Sequence, residues 1–382
     1  MQAGKDATNI EDSFHMPRWK VLLYGQVLSV LLAIMWASQA TLWLECAWSA
    51  PAFSCFWAYL LLSLHVIPLI KKGRSILKQD SGPAPKWFLG IIPLQTSPWT
   101  YLAMATLSFY GNYSYLLAVS LTTVTSISLI DAISVPTVMI LSHIFLRRRY
   151  LKLHFIGAAL CLSGVIIGVV VDLVANRIHK DTSYSDAYEK VDGSEEYPNK
   201  VVGDLLSCLG AILFGINDVL AEYSVHRFGG PTEYLAIVGI FGTCLAFIQA
   251  LITERRIVVD TLNGITPKGC NSFIVGGLIA AYVVGQFSRK TGLASFLTIS
   301  DAAMLQLSLL TSDLYTALFS IVYEHILPRP WSWVAMSIVM SGIVVYEMGP
   351  SPYAPKLHSQ TNTRDLSTIE DETNNNIDKD VV

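Results

Sequence analysis

The stretch Leu129-Ile130-Asp131-Ala132-Ile133-Ser134-Val135-Pro136 places a carboxylate near the middle of an apolar segment, residues 123–145, that is long enough to cross a bilayer. A second aspartate, Asp313, occupies the matching place in residues 302–323. An ionisable side chain at mid-bilayer depth costs at least about 2.5 kcal/mol, so it generally marks a pathway for a solute, an ion or a proton. The two aspartates predict a multi-pass membrane protein with such a pathway.

The composition of the chain also favours a membrane protein. Its 382 residues are 52% hydrophobic and 14% charged, whereas soluble domains contain about 25% charged residues. The net charge of −3 gives no indication of nucleic-acid binding. The chain has no H-E-x-x-H or G-x-S-x-G motif and no paired His or Cys within the apolar segments, which argues against an intramembrane enzyme. We expect no metal and no cofactor.

Ten apolar segments have the length of a membrane span. They are residues 21–41, 52–70, 100–120, 123–145, 153–171, 202–224, 234–252, about 273–298, 302–323 and 331–348. The eighth segment has two interpretations. If it ended before Arg289-Lys290, the remaining apolar block of residues 291–323 would be too long for one helix. We therefore favour a longer helix, which places Arg289 and Lys290 inside the membrane region rather than at its inner surface.

The order of the segments divides the chain into two halves of five spans. We expect a cytoplasmic N-terminal segment, a first repeat, an outer linker, a second repeat and a disordered cytoplasmic tail, at residues 1–20, 21–174, 175–201, 202–350 and 351–382. Lys and Arg are concentrated on alternate loops, which places both termini in the cytoplasm. Arg147-Arg148-Arg149 is interpreted as a topology anchor that faces anionic lipid and has no chemical role. The sequence does not distinguish the plasma membrane from an endomembrane.

An odd number of spans in each half forces the halves into opposite orientations, as in inverted-repeat transporters. Matched residues at nearly one offset support a duplication: Ser163-Gly164-Val165 with Ser341-Gly342-Ile343, Gln39 with Asn217, Asn112 with Arg289, and Asp131 with Asp313. The predicted fold is an all-α membrane protein with ten transmembrane helices in two inverted five-helix repeats. The glycines of spans 5 and 10 predict close packing, either internal or at a homodimer contact.

Polar side chains around the two aspartates predict a solute site. The candidate substrate-binding residues are Asp131, Asp313, Asn112, Tyr113, Ser128, Gln39, Asn217, Arg289, Lys290 and Thr316. The aromatic rings between residues 109 and 115 suit stacking on a planar heterocycle, although such rings more often serve in packing. Asp218 and Glu222 are candidates for an inner gate or a proton acceptor, or are interfacial residues. The alternative for the two aspartates is a purely structural contact with a neighbouring helix.

The six cysteines form no C-x-x-C pair and no metal-ligand spacing. Cys46 and Cys55 flank one short loop, so either they form a disulfide or both stay reduced.

Four stretches resemble the F subgroup of solute carrier family 35, in the drug/metabolite transporter superfamily. They are Leu129-Ile-Asp131-Ala-Ile-Ser-Val-Pro136-Thr-Val-Met139, Gly203-Asp204 through Asn217 to Glu222-Tyr223, Glu233-Tyr-Leu-Ala-Ile-Val-Gly-Ile-Phe-Gly-Thr243 and Thr311-Ser-Asp313-Leu-Tyr315. The resemblance implies ten helices in inverted repeats, a central cavity, peripheral spans 5 and 10, and alternating access. It also implies a small-molecule partner, with a nucleobase-like or other heterocyclic solute favoured. The alternatives are a nucleotide-sugar exchanger of the Golgi or ER, as in the sibling branches, and a non-transporting membrane scaffold.

Overall fold

The structure, a computed structural model, describes residues 18–71, 86–88, 92–122, 124–181, 199–263, 268, 270–312, 315 and 330–349. The predictions made for Asp313 and Thr316, for most of the outer linker and for the tail fall outside these residues. The side chain of Ser128 is also outside the described part, although its backbone belongs to a helix.

The described chain is helical except for one short hairpin. Its helices are α1 (Arg18–Cys46), α2 (Pro51–Ser63), α3 (Pro98–Val119), α4 (Val124–Asp131), α5 (Ser134–Phe145), α6 (Lys152–Asp181), α7 (Lys200–Arg227), α8 (Gly230–Thr253), α9 (Arg255–Leu262), α10 (Ser272–Phe296), α11 (Ala302–Leu309) and α12 (Pro330–Met348). The hairpin consists of β1 (Lys86–Phe88) and β2 (Ile92–Leu94), which pair antiparallel between α2 and α3.

Long apolar helices dominate this part of the chain. Among the described residues, five helical stretches are long and apolar enough to cross a membrane: Trp19–Cys46, Pro51–Lys71, Val201–Arg227, Gly230–Thr253 and Ser272–Phe296. Many of their exposed side chains are large and apolar, such as Leu23, Ile248 and Val284. An exposed apolar surface of this kind suits lipid rather than water.

The predicted fourth span is not one continuous helix. α4 ends at Asp131, and α5 begins at Ser134 after a tight turn in which the Ile133 N–H donates to the Ile130 carbonyl (3.0 Å). Pro136 has no N–H, and its ring would clash with the carbonyl four residues earlier in an unbroken helix. The break therefore places the Asp131 carboxylate at a helix end. The ninth span also differs from the prediction. A continuous segment was predicted for residues 302–323, but α11 ends at Leu309.

The eighth span follows the longer of its two interpretations. α10 continues through Arg289 and Lys290 to Phe296, and both side chains are buried. The following turn ends at Asp301, whose carboxylate accepts the Met304 N–H (2.7 Å) and caps the start of α11.

The helices of the two halves pack on each other rather than only on their neighbours in sequence. α1 packs against α10 and α11, α7 against α3 and α4, α2 against α8, and α6 against α12. Glycines allow the closest of these approaches. A Cβ on Gly157 would lie 2.6 Å from the Tyr346 backbone nitrogen, and one on Gly342 would lie 2.7 Å from the Cys161 nitrogen. These glycines therefore form an internal contact between α6 and α12.

Neither alternative for Cys46 and Cys55 holds, because the two are not paired with each other and only Cys55 of the two is reduced. Cys46, the last residue of α1, forms a disulfide with Cys270, just before α10. Cys55 faces inward from α2 and is buried, with its sulfur 3.7 Å from the Tyr282 hydroxyl. Cys55 therefore has its side chain among the packed helices and away from the loop that Cys46 enters.

The end of the molecule that carries the disulfide is held by further polar contacts. The Glu254 carboxylate accepts the N–H groups of Ala52 and Phe53, both at 2.8 Å, and thereby caps α2. Burial raises the pKa of the Glu254 carboxyl above its usual range, against the opposing effect of these two hydrogen bonds. The indole of Trp48 donates to the Thr261 hydroxyl (2.8 Å).

Candidate functional site

A buried layer of polar side chains lies between α2, α3 and α10. Asn112 is at its centre and is 1% exposed. Its Oδ1 accepts from Gln286 Nε2 (2.6 Å), and its Nδ2 donates to the Tyr59 hydroxyl (3.0 Å). The Tyr59 hydroxyl is in turn 2.8 Å from Ser108 Oγ. Side chains of all three helices thus join a single hydrogen-bond network.

Two adjacent cations terminate this network. Arg289 donates through Nε and Nη2 to Gln286 Oε1 at 3.1 and 3.0 Å, and Lys290 Nζ donates to Ser108 Oγ at 2.7 Å. Their exposed fractions are 4% and 2%. Among the described residues, neither cation has an ion-pair partner within 4.0 Å. The layer therefore places two basic side chains next to each other within an apolar bundle.

Asp131 lies near this layer, since it lines the same cavity as Arg289. Its carboxylate is half-buried and accepts from the Tyr115 hydroxyl. The Tyr115 ring lies between Trp36 and Phe214, with centroid distances of 5.3 and 5.1 Å. The Tyr115 contact thus fixes the orientation of the carboxylate at the end of α4.

A small cavity lies between Asp131 and Arg289. The polar side chains of its lining are Asp131, Asp218, Arg289 and Gln306, and the others are Leu32, Met35, Trp36, Phe214 and Leu309. Acidic side chains, a basic side chain and two aromatic rings therefore line one small cavity.

Asp218 and Gln306 join three helices beside this cavity. Asp218 Oδ2 accepts from Gln306 Nε2 (2.6 Å), and its Oδ1 accepts from Asn217 Nδ2 (3.2 Å). Gln306 Oε1 accepts from Ser134 Oγ (3.0 Å). α5, α7 and α11 consequently meet through side chains at the edge of the cavity.

The structure brings some of the predicted site residues together and separates others. Asp131 and Arg289 line the cavity, and Asn112, Lys290 and Asn217 belong to the adjoining networks. Gln39 does not join them, because it lines a second cavity with Trp43 and Trp48. The Tyr113 ring packs against Phe109 (5.9 Å) and is not part of the lining of this cavity, so its role in substrate binding stays a prediction.

An ionic cluster lies one helical turn beyond the cavity. Arg148 donates to Glu222 through Nη2 and to Asp301 Oδ2 through Nη1 (3.1 Å). Glu222 Oε2 also accepts the Ala302 N–H (2.8 Å). Interpreting Arg148 as a lipid-facing anchor is therefore wrong, whereas its neighbours Arg147 and Arg149 are exposed. A positive φ of 54° at Arg147 turns the chain and directs only the middle arginine inward.

Sequence reasoning missed Gln286, Gln306, Tyr59 and Arg148. Gln286 is one turn before Arg289 on the same helix face, and Gln306 is a lone amide in an apolar segment, so both carried a readable signal. Tyr59 carried no signal, because nothing in its local sequence distinguishes it from a packing residue.

The apolar helices and the buried cavity together define a helical integral membrane protein with an internal polar site. The chain belongs to solute carrier family 35, since the sequence profile of that family (SLC35F) matches residues 14–348.

Individual relatives are similar over most of the chain. Solute carrier family 35 member F2 of Mus musculus is 29% identical over 66% of this chain and 61% of its own length, so the match spans less than two thirds of that relative. The Xenopus tropicalis protein of the same name is 27% identical over 84% of this chain and 74% of its own length. A crystal structure of another protein aligns with a TM-score of 0.55 at 14% identity, covering 85% of this chain and 94% of that one. This last likeness shows the fold alone.

Proposed function

We propose that the protein is a secondary transporter that moves a small polar organic solute across a membrane by alternating access. The observation that carries this proposal is the cavity lined by Asp131, Asp218 and Arg289 inside an apolar helix bundle. Buried charges of both signs are costly in a membrane protein and are generally retained for a passing solute or ion.

The chemistry of the cavity favours a nucleobase-like or other heterocyclic solute. The carboxylates of Asp131 and Asp218 accept from ring or exocyclic N–H groups, and the Arg289 guanidinium donates to a carbonyl or ring nitrogen. Trp36 and Phe214 offer flat apolar faces for stacking. The solute that satisfies these groups is planar and carries both donors and acceptors.

The pattern of helix contacts supports two inverted five-helix repeats. If the spans are numbered in order, α1 and α10 are spans 1 and 8, whereas α3 and α7 are spans 3 and 6. Replacing each span by its counterpart in the other half, five positions away, converts the first pair into the second. The contacts of α2 with α8 and of α6 with α12 are unchanged by this replacement. Relative movement of the helices around the cavity would then expose it to each side in turn. A homodimer would use the lipid-facing sides of α6 and α12.

The disulfide supports cytoplasmic termini. Disulfides persist in extracellular or luminal compartments and are rare in the cytosol. Cys46 and Cys270 lie on loops assigned to the outer side, opposite the arginine-rich loop after α5. The distribution of charge and the position of the disulfide thus support the same orientation.

Transport by the purified full-length chain tests the proposal. Metabolites that differ between cells with and without the protein supply candidate solutes, and uptake of each into proteoliposomes is measured. We expect saturable uptake that Asp131→Asn reduces at least about tenfold, the effect of about 1.4 kcal/mol of lost binding. The matched control is Asp260→Asn, an exposed acid on α9. If no candidate is taken up above protein-free liposomes, or if both variants transport equally, the proposal fails.

A nucleotide-sugar exchanger is a second candidate, because Arg289 and Lys290 are two adjacent buried cations. Paired cations suit a diphosphate. Competition separates the candidates, since a nucleotide sugar at millimolar concentration should abolish uptake only in the exchanger.

A further inference from the structure

The ionic cluster of Arg148, Glu222, Asp301 and the Ala302 N–H joins two groups of helices. Arg148 is on the loop between α5 and α6, and Glu222 is near the end of α7. Asp301 and Ala302 begin α11, which packs against α1. The contacts of Arg148 with Asp301 and of Glu222 with Ala302 therefore cross a seam between α5 and α7 on one side and α11 on the other.

The cluster closes one end of the cavity. Asp218 and Gln306 line the cavity, and their hydrogen bond crosses the same seam. Glu222 follows Asp218 by one turn of α7, and Ala302 precedes Gln306 by one turn of α11, which places the cluster about 6 Å further along both helices. The cluster therefore lies between α7 and α11, on the side of the cavity that faces the arginine-rich loop.

When α11 moves away from α5 and α7, only some of the contacts in the cluster have to break. Arg148 and Glu222 lie on the same side of the seam, so their ion pair can persist when α11 moves away. Of the contacts named for this cluster, two cross the seam: the ion pair of Arg148 with Asp301 and the hydrogen bond from the Ala302 N–H to Glu222. Since the Arg148 side chain is 4% exposed and that of Glu222 is fully buried, opening also admits water to both.

The loop that carries Arg148 is itself fixed. The Arg148 N–H donates to the Ser142 carbonyl (3.3 Å), and the His143 ring nitrogen Nδ1 is 2.8 Å from the Arg148 carbonyl oxygen. These contacts anchor the arginine to the end of α5. The guanidinium therefore occupies a set position against which α11 can close.

We propose that Arg148 is the gate residue that holds the cavity closed towards the arginine-rich face, by engaging Asp301 at the start of α11. The proposal rests on the proposed transport function and names the contact that controls access to its site. Movement of α11 away from Arg148 and Glu222 opens this face.

Accessibility of a cysteine in the cavity tests the gate without any solute. The reporter is Met35→Cys, because Met35 lines the cavity from α1 and takes no part in the cluster. It is placed in a chain whose four reduced cysteines, Cys55, Cys161, Cys208 and Cys244, are replaced by serine while the disulfide is kept. A membrane-impermeant maleimide is added to vesicles of known orientation. Parallel labelling of Arg149→Cys identifies the vesicles that expose the arginine-rich face, because Arg149 is exposed.

Two variants open the gate in different ways. Asp301→Asn removes the ion pair with Arg148 but keeps a good N-cap for α11. Arg148→Gln removes the guanidinium itself. Each should raise the rate of reporter labelling from the arginine-rich face at least about tenfold, and Arg149→Gln, the matched control, should leave the rate unchanged. Retention of the disulfide and a single chromatographic peak show that each variant is folded.

Each outcome decides the proposal. Labelling at the reference rate in both Asp301→Asn and Arg148→Gln overturns the gate, as does an equal increase in Arg149→Gln. If Arg148→Gln does not fold, Asp301→Asn alone decides. A labelling shift in a protein that takes up no solute supports the gate and contradicts only the transport function, whereas uptake with no labelling shift does the reverse.

Discussion

Gln286 Nε2 donates to Asn112 Oδ1 over 2.6 Å, and this bond joins α10 to α3 beside two buried cations. The same Gln286 accepts from Arg289 through its Oε1. Since an amide side chain both donates and accepts, Gln286 passes the polarisation of the guanidinium to Asn112 and on to Tyr59. The cavity is therefore supported by a neutral network that orients its charged groups.

Replacing Asn112 with alanine should destabilise the protein. The substitution leaves the Gln286 amide and the Tyr59 hydroxyl short of one buried partner each, which costs about 1–3 kcal/mol for an unsatisfied group. The free energy of unfolding in detergent is the measurement. Thr106→Ala on the same helix is the control, because its hydroxyl bonds to Leu102 of its own helix. Equal stability of the two variants would contradict the central role of Asn112.

A methyl group at Gly342 should separate α6 from α12. The added Cβ would lie 2.7 Å from the Cys161 nitrogen and 2.8 Å from the Gly157 carbonyl oxygen, and backbone atoms cannot move aside cheaply. We expect Gly342→Ala to lower the free energy of unfolding by about 1–3 kcal/mol. Gly276→Ala should instead raise the free energy of unfolding, by about 0.5–1 kcal/mol, because alanine is favoured over glycine in a helix and the added Cβ would meet nothing within 4 Å. The prediction fails if both variants shift stability in the same direction.

Loss of the disulfide should destabilise the outer end of the molecule. The bond joins residues 224 positions apart, and a cross-link over a long loop typically contributes about 2–4 kcal/mol. Cys46→Ser with Cys270→Ser should therefore lower the unfolding temperature, and the exposed Cys244→Ser is the control. Reduction in sealed vesicles gives a second readout. An impermeant reductant should cleave the bond only from the side opposite the N-terminus, and cleavage from the same side would contradict the proposed orientation.

Acidification should stabilise the folded protein through Glu254, because protonation removes the cost of burying its charge. The pKa of the Glu254 carboxyl is raised in the folded protein, so the folded state binds its proton at a pH where the unfolded chain has lost it. Stability from this group therefore increases as the pH falls from the raised folded value towards the ordinary 4.5. Glu254→Gln should flatten the pH dependence of the unfolding temperature in that window. Asp260→Asn, an exposed acid nearby, should not, and an unchanged slope in Glu254→Gln would contradict the prediction.

Local sequence was enough for the helical class and for the five spans that the described part of the chain confirms, because a bilayer demands long apolar runs. It also placed Arg289 and Lys290 inside a helix, since the alternative left an apolar block too long to be one span. The break at Asp131 had a visible cause in Pro136, yet its position required the tertiary structure.

Partners distant in sequence were not predictable. The bond of Cys46 with Cys270 and the ion pair of Arg148 with Asp301 depend on which loops meet, and spacing along the chain carries no such information. Arg148 also looks identical to Arg147 and Arg149 in sequence. Only the left-handed backbone at Arg147 separates the buried arginine from its exposed neighbours.

The packing of helices from one half of the chain against helices from the other half has a consequence for biogenesis. Because α1 rests on α10 and α3 on α7, the helices nearer the N-terminus reach the membrane before several of their final neighbours have been synthesised. Neither half is then an autonomous unit, and a gene fragment encoding one of them should yield a product that quality control degrades. Two fragments divided in the linker and produced together should instead rescue each other.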